Sequence, residues 1–355
     1  MVSLKVPEKE VCSIAKAVWE EFQPCLAKEP PSTSFLRMAT RLASTGHENR
    51  LTDNLPEHGL SADIPVSYVD CGLSSGHPIL AIQDFIQTLD ANGKIDLLLM
   101  GNRSPIFTDF WANWQQLQPN HEVFSYHQNR LGSCIPISVH FDEGTTLKKK
   151  AIMIIQTQAV IGKGTRKRRS TSLIPGCNFV GNTITSRYLW SVMLARLYSK
   201  KTKGNAKKNA PLIDLIAHLA KQLRDAFYNG MEVTIDGKLE TIFLVPLGCK
   251  GDWPALAKVG TLQRHFGRQS AKDGAAGICH LCRADQDGFK NWHDVSFSNI
   301  ESMHRDVPLP WTRDPALLSA VPLPDAYKAS FFKSDLFHTL HKGVFADIAA
   351  NTIVF

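Results

Sequence analysis

Cys279-His-Leu-Cys282 is the only close cysteine pair in the chain; Cys12, Cys25, Cys71, Cys134, Cys177 and Cys249 are scattered singly. A Cys-x-x-Cys spacing lets two thiolates grip one tetrahedral Zn²⁺ from a tight turn. His338 and His341, three residues apart on one helical face, are the expected partner ligands, with His265 as a substitute. The bland alternative is two reduced thiols in a loop beside unrelated histidines. Asp142 and Asp252 form a second group, each at the carboxyl end of an apolar run and within two residues of a glycine. Ligands of α/β sheets gather at such strand ends. Two carboxylates from neighbouring strands can hold one or two Mg²⁺ (or Mn²⁺) ions for phosphoryl transfer, because these ions want hard oxygen ligands. An Asp after a strand is also a turn former or a helix N-cap, and Asp252-Trp-Pro-Ala reads as a good N-cap.

Charge marks a third feature. Between Lys148 and Ile213 there are fifteen basic residues and no acidic one, although the whole chain carries only +7. Two dense runs lie inside this strip, with Lys163, Arg166, Lys167, Arg168 and Arg169 in the first and Lys200, Lys201, Lys203, Lys207 and Lys208 in the second. Both are rich in Gly, Ser, Thr and Asn, so exposed loops are expected, suited to the phosphates of DNA. Arg166 to Arg169 also has the makeup of a nuclear-import signal, which places the protein in the nucleus. Solvated loops that keep the protein soluble are the plainer reading.

The elements that must position these groups follow from periodicity. Apolar residues at helical spacing predict a helix over 8–27, and residues 31–75 read as a turn-rich linker or loosely ordered arm. Helices are predicted over 78–89 and 104–118, the second with Phe107, Phe110, Trp111, Trp114 and Leu117 on one face. Residues 134–142 and 151–161 alternate like the strands of a hairpin. Residues 186–199 and 211–228 read as helices, and 239–247 as a strand buried on both faces that delivers Asp252 to a sheet edge.

With 355 residues, 43% of them hydrophobic and 21% charged, the chain can fill a core. No fixed-period repeat is present, so disorder, collagen and solenoids are excluded. Glu8, Glu10, Glu20 and Glu21 interrupt any leader-like apolar run, and no stretch of eighteen apolar residues follows, so a soluble intracellular protein with no membrane partner is expected.

Taken together, Gly251-Asp252-Trp-Pro-Ala-Leu-Ala-Lys-Val-Gly260, Cys279-x-x-Cys282 and Asp335-x-x-His338 with Lys342-Gly343-Val344 resemble DDE transposases of the CACTA (En/Spm) group. The resemblance covers residues 131–355. It implies an α/β fold, an RNase H-like mixed sheet flanked by helices, with a loop-rich insertion; the mainly helical N-terminal region with its turn-rich arm is read from the residue pattern alone. The resulting organisation is 1–130 helical, 131–262 first part of the core, 263–334 Cys-containing insertion, and 335–355 the start of a C-terminal helix. Asp142 matches the first catalytic acid, Asp252 the second, and Asp335 with His338 the C/D-x-x-H motif. The family's third acid is expected on a later helix; Asp347 lies too near the motif, so the chain reads as truncated and inactive by itself. The implied activity is Mg-dependent DNA cleavage and strand transfer, in a possible homo-oligomer. The competing expectation is an inactive DNA-binding protein derived from such an element.

Overall fold

The computed structural model describes residues 8–22, 34–58, 63–145, 149–162, 187–198, 209–264, 277–319, 321–334 and 345–354. The chain divides into two compact units, Met1–Ile64 and Pro65–Phe355. In the first, α1 (Glu8–Phe22) packs against α2 (Ser34–Thr45), with the short α3 (Leu51–Asn54) completing the group. Cys12 and Ala15 meet Met38, Ala39, Leu42 and Leu51 in a small core. This corrects the expectation of a loose arm over 31–75. Met38, Ala39 and Leu42 make the buried stripe of α2, with Phe35, Leu36 and Ala43 packed half-buried beside it, in a stretch whose surrounding turn residues mask the helical spacing.

The second unit opens with a ribbon of β1 (Ser67–Val69) and β2 (His77–Ile79), the latter occupying the start of a segment expected to be helical. Helices α4 (Ile82–Ala91), α5 (Asp96–Leu99), α6 (Ser104–Leu117) and α7 (Glu122–Tyr126) follow. Phe107 and Trp111 of α6 are buried, and the Trp111 indole N–H donates to the Cys134 carbonyl at 2.9 Å, tying the aromatic face to the first strand of the sheet. Leu117, at the end of that face, is exposed.

The main sheet has the order β5-β4-β3-β7-β6. β3 (Cys134–Thr145), β4 (Ala151–Ala159) and β5 (Arg187–Leu194) form an antiparallel meander. Residues 186–199 were expected to be one helix; instead β5 fills most of the segment, and only a last turn, α8 (Ala195–Tyr198), is helical. The run Tyr188-Leu-Trp-Ser-Val is aromatic and β-branched, and pairing with β4 satisfies its backbone, which overrides a short helical pattern.

The long α9 (Ala210–Tyr228) then crosses to β7 (Lys238–Gly251). Its buried stripe, Leu212, Leu215, Ile216, Leu219, Leu223 and Phe227, packs largely against that strand, and each such side chain contributes about 1.5–3 kcal/mol on burial. β6 (Met231–Ile235) and β7 form a hairpin closed by Asp236-Gly237, both in the left-handed region, as a type I′ turn requires. β7 runs parallel to β3. The sheet is therefore mixed, with helices flanking it, as the α/β expectation requires. At Gly251 a Cβ would sit 2.1 Å from the Phe141 carbonyl oxygen, so only glycine lets β7 approach β3 at this point.

After α10 (Trp253–Val259) come α11 (Phe297–His304), α12 (Asp325–Phe331) and α13 (Phe345–Val354). Phe332 bridges Cys249 in parallel fashion, with the Lys333 N–H donating to the Cys249 carbonyl at 2.9 Å, so the end of β7 is covered on its outer edge. Among the described residues no helix is long and apolar enough to cross a membrane.

Candidate functional site

Phe141 and Gly251 are the last paired residues of β3 and β7. Asp142 and Asp252 each follow one of them, where strand spacing is about 4.8 Å; β3, however, runs on to Thr145 with Asp142 still paired to Ile154, so the strand end expected at Asp142 lies three residues later, while Asp252 stands just past the end of β7. Asp252 also caps α10: its Oδ1 accepts from the Ala255 N–H at 2.9 Å, with Pro254 in the first turn. The N-cap geometry read from Asp-Trp-Pro-Ala is thus present in the same residue that carries the metal expectation.

Strand alternation separates Asp142 from its neighbour Glu143. Phe141 and Glu143 share a side with Met153 and Ile155, whereas Asp142 shares the other with His140 and Ile154. Glu143 accepts from the Tyr198 hydroxyl at 2.9 Å and forms an ion pair with Lys258 of α10. Burial raises the Tyr198 phenol above its ordinary value, and the hydrogen bond to Glu143 and the charges of Glu143 and Asp252 raise it further. Glu143 and Asp252 therefore both act on Tyr198 at this end of the sheet, whereas Asp142 lies on the other side of β3. A groove of about 430 Å³ opens beside α10, lined by Asn209, Ile213, Pro254, Lys258, Thr261 and Leu262 among others.

On the Asp142 side, Lys250 donates to Gln158 Oε1 at 2.9 Å, and burial followed by the nearby Arg187 charge lowers its pKa. Arg187 belongs to the acid-free strip read from the sequence. The ten cations expected to contact DNA, Lys163, Arg166, Lys167, Arg168, Arg169, Lys200, Lys201, Lys203, Lys207 and Lys208, all lie outside the described residues. His265, His338 and His341 lie outside them too.

The cysteine pair is described, and its loop is closely organised. The Ile278 N–H donates to the Ala284 carbonyl at 3.0 Å, and the Leu281 N–H donates to Cys279 Sγ at 3.3 Å. Hydrogen bonding from the Cys282 thiol holds Cys279 down at about 6, and backbone N–H groups of Leu281 and Cys282 act in the same direction. Cys282, which keeps the shared proton, is raised. Arg264 is buried next to the pair, with Nε donating to the Cys279 carbonyl at 3.2 Å. Among the described residues, no three His, Cys, Asp or Glu side chains are drawn tightly enough together to hold a metal ion.

His280, between the cysteines, joins this loop to the acid-bearing end of the sheet. It is buried, its Nε2–H donates to the Phe332 carbonyl at 2.8 Å, and its ring meets Trp253 edge-on at 5.1 Å. Trp253 directly follows Asp252, and Phe332 is the residue bridged to β7. Sequence reasoning passed over Glu143, Tyr198, Lys258 and His280. The Asp-Glu dipeptide was the one visible signal, since alternation in a strand puts its two members on opposite sides.

Set against known proteins, the chain matches no family, no curated protein and no solved structure.

Proposed function

We propose that this chain is a transposase-like DNA-processing protein with an RNase H-like core, in which Asp142 and Asp252 are two of the acids that hold divalent metal. One observation supports the reading: the two acids follow the last β3–β7 residue pair, in a sheet whose antiparallel meander is joined through a helix and the edge strand β6 to β7, which runs parallel to β3. The donor set suits Mg²⁺ or Mn²⁺, because carboxylates supply hard oxygens and Glu143 is already balanced by Lys258. Bound there, the ion would activate a water or a 3′-hydroxyl for in-line attack on a phosphodiester. Nuclear import through Arg166 to Arg169, zinc at Cys279 and Cys282, and assembly of copies on DNA belong to the same proposal.

Fe²⁺ in place of Mg²⁺, with ascorbate and peroxide, should cut the polypeptide near residues 142 and 252, with excess Mg²⁺ suppressing the cuts. Asp142→Asn should abolish them. Cuts that are absent, or indifferent to that substitution, would remove the metal site.

The cap made by Asp252 favours a second reading, a DNA-binding relative that no longer cleaves. Both readings require DNA contact through the basic strip. Affinity for duplex DNA should fall with salt at a slope of about −0.9 per phosphate contact, and replacing Arg166, Lys167, Arg168 and Arg169 by alanine should flatten it by roughly three to four units. Salt-independent binding would defeat both.

A further inference from the structure

Glu143 of β3 holds two other elements with one oxygen. Its Oε1 accepts from the Tyr198 hydroxyl at 2.9 Å and from the Lys258 ammonium, so β3, the α8 turn and α10 meet at a single atom. Asp252 is the N-cap of that same α10. We propose that Glu143 is a positioning residue for Asp252, fixing the helix that starts at this acid against β3; the inference rests on the metal reading above and adds a residue to it. Asp142 cannot take this part, since alternation puts it on the other side of β3.

Three features support the role. First, apolar burial alone does not orient α10. Ala255, Leu256 and Val259 bury one side of this seven-residue helix, but the hydrophobic effect has no direction, and so short a helix can still turn about its axis or slide over the sheet. A charge-assisted hydrogen bond has both a length and an angle, and the one from Lys258 supplies the missing constraint. Second, that constraint sits at the far end from Asp252. β7 holds the start of the helix through the chain itself, and Lys258, in the last turn, lies about 9 Å further along the axis, so fixing it sets the direction in which the helix leaves Asp252. Third, the bonds are sheltered. Tyr198 is buried, and the Glu143 and Lys258 side chains are only 23% and 32% exposed, so water competes weakly for the shared oxygen.

Tyr198 extends the linkage toward the basic strip. It is the last residue before the second basic run, which opens with Ser199, Lys200 and Lys201. The end of β5 that leads into that run is therefore held by the same oxygen as the Asp252 helix.

Iron-directed cutting of the full chain, with Mn²⁺ as competitor, tests the assignment. Glu143→Ala should raise the Mn²⁺ concentration that suppresses the cuts about tenfold, the low end of what loss of an outer-shell partner costs a metal site, and cuts near 252 should fade relative to those near 142. Glu143→Gln still offers an oxygen to Tyr198 and Lys258, so it should recover most of both. A metal ligand would not be rescued in this way, because an uncharged amide oxygen holds such a cation less well than a carboxylate. Lys258→Met, which keeps the stem and removes the donor, should copy Glu143→Ala, and the two together should do no more than either alone. If Glu143→Ala is cut and protected by Mn²⁺ as the unaltered chain is, or if Glu143→Gln is as inactive as Asp142→Asn, the positioning role is wrong while the metal reading stands. If the unaltered chain is not cut, both fail.

Discussion

Acidification from pH 6.5 to pH 4 should destabilise the second unit by about 2–3 kcal/mol for each of two histidines, His121 and His127. Both are buried, and burial lowers each from 6.5 to about 4. His121 caps α7 by accepting the Val123 N–H on Nδ1 at 3.2 Å, a bond that protonation there would abolish, and its buried Nε2 has no partner. His127 donates through Nε2 to the Phe227 carbonyl at 2.8 Å and packs against Phe227 and Phe243, with the Arg130 charge opposing a second proton. The unfolded chain takes up these protons near 6.5 and the folded one only near 4. Stability is therefore full above 6.5 and drains as pH falls through that window.

The carboxylate of Asp314, held below its ordinary 3.8 mainly by the Lys328 hydrogen bond, loses its contribution only below that value. The two effects are thus separable. Urea unfolding between pH 7 and pH 4 should show a fall that is roughly halved in His127→Gln, whose amide can still reach the Phe227 carbonyl. Parallel pH curves for the two proteins would show that His127 does not carry the effect.

These histidines illustrate what a chain of residues does and does not disclose. The β3–β4 hairpin, the α9 stripe and the apolar run of β7 were legible, because alternation and helical spacing are local signals. The adjacency of β3 and β7 was expected from the two acids that follow their apolar runs, but its register was not legible, since Phe141 meets Gly251 across more than a hundred residues and a glycine in a run says nothing of its partner. β5 was misread because its pairing with β4, rather than its own pattern, decides its state. The spacing from Phe35 to Leu42 was visible but was read as part of a turn-rich arm, because the packing on α1 that makes it a helix is not a local signal.

At the candidate site, Asp252 was legible as an acid that ends a strand and caps a helix, whereas Asp142 was misread as a strand end because the polar Asp-Glu-Gly run stays paired to β4 as far as Thr145. Glu143 was not distinguishable from Asp142 until alternation placed it beside Tyr198 and Lys258. The Cys279–Cys282 turn was read from spacing alone, yet His280 acts through Phe332, far along the chain, and Met303 packs the pair from a later helix.

Asp252 should separate two roles that the fold has merged in one side chain. As an N-cap it accepts the Ala255 N–H, and as a metal ligand it must offer a charged oxygen. Asn caps a helix about as well as Asp, so Asp252→Asn should leave urea stability within roughly 0.5 kcal/mol, the small difference being the lost charge at the helix start. Its weaker oxygen should nonetheless abolish Fe²⁺-directed cutting near both 142 and 252, because one ion spans the two strands. Asp252→Ala should lose the same cutting and about 1 kcal/mol of stability as well, since an Ala at an N-cap leaves a backbone donor unsatisfied. The pair of variants therefore distinguishes a cap from a ligand with two independent readouts. If Asp252→Asn keeps the metal-directed cuts while Asp252→Ala is merely less stable, Asp252 is a cap and nothing more. The β3 and β7 ends would then be a scaffold, and the basic strip of residues 148–213 would be left as the part of the protein that meets DNA.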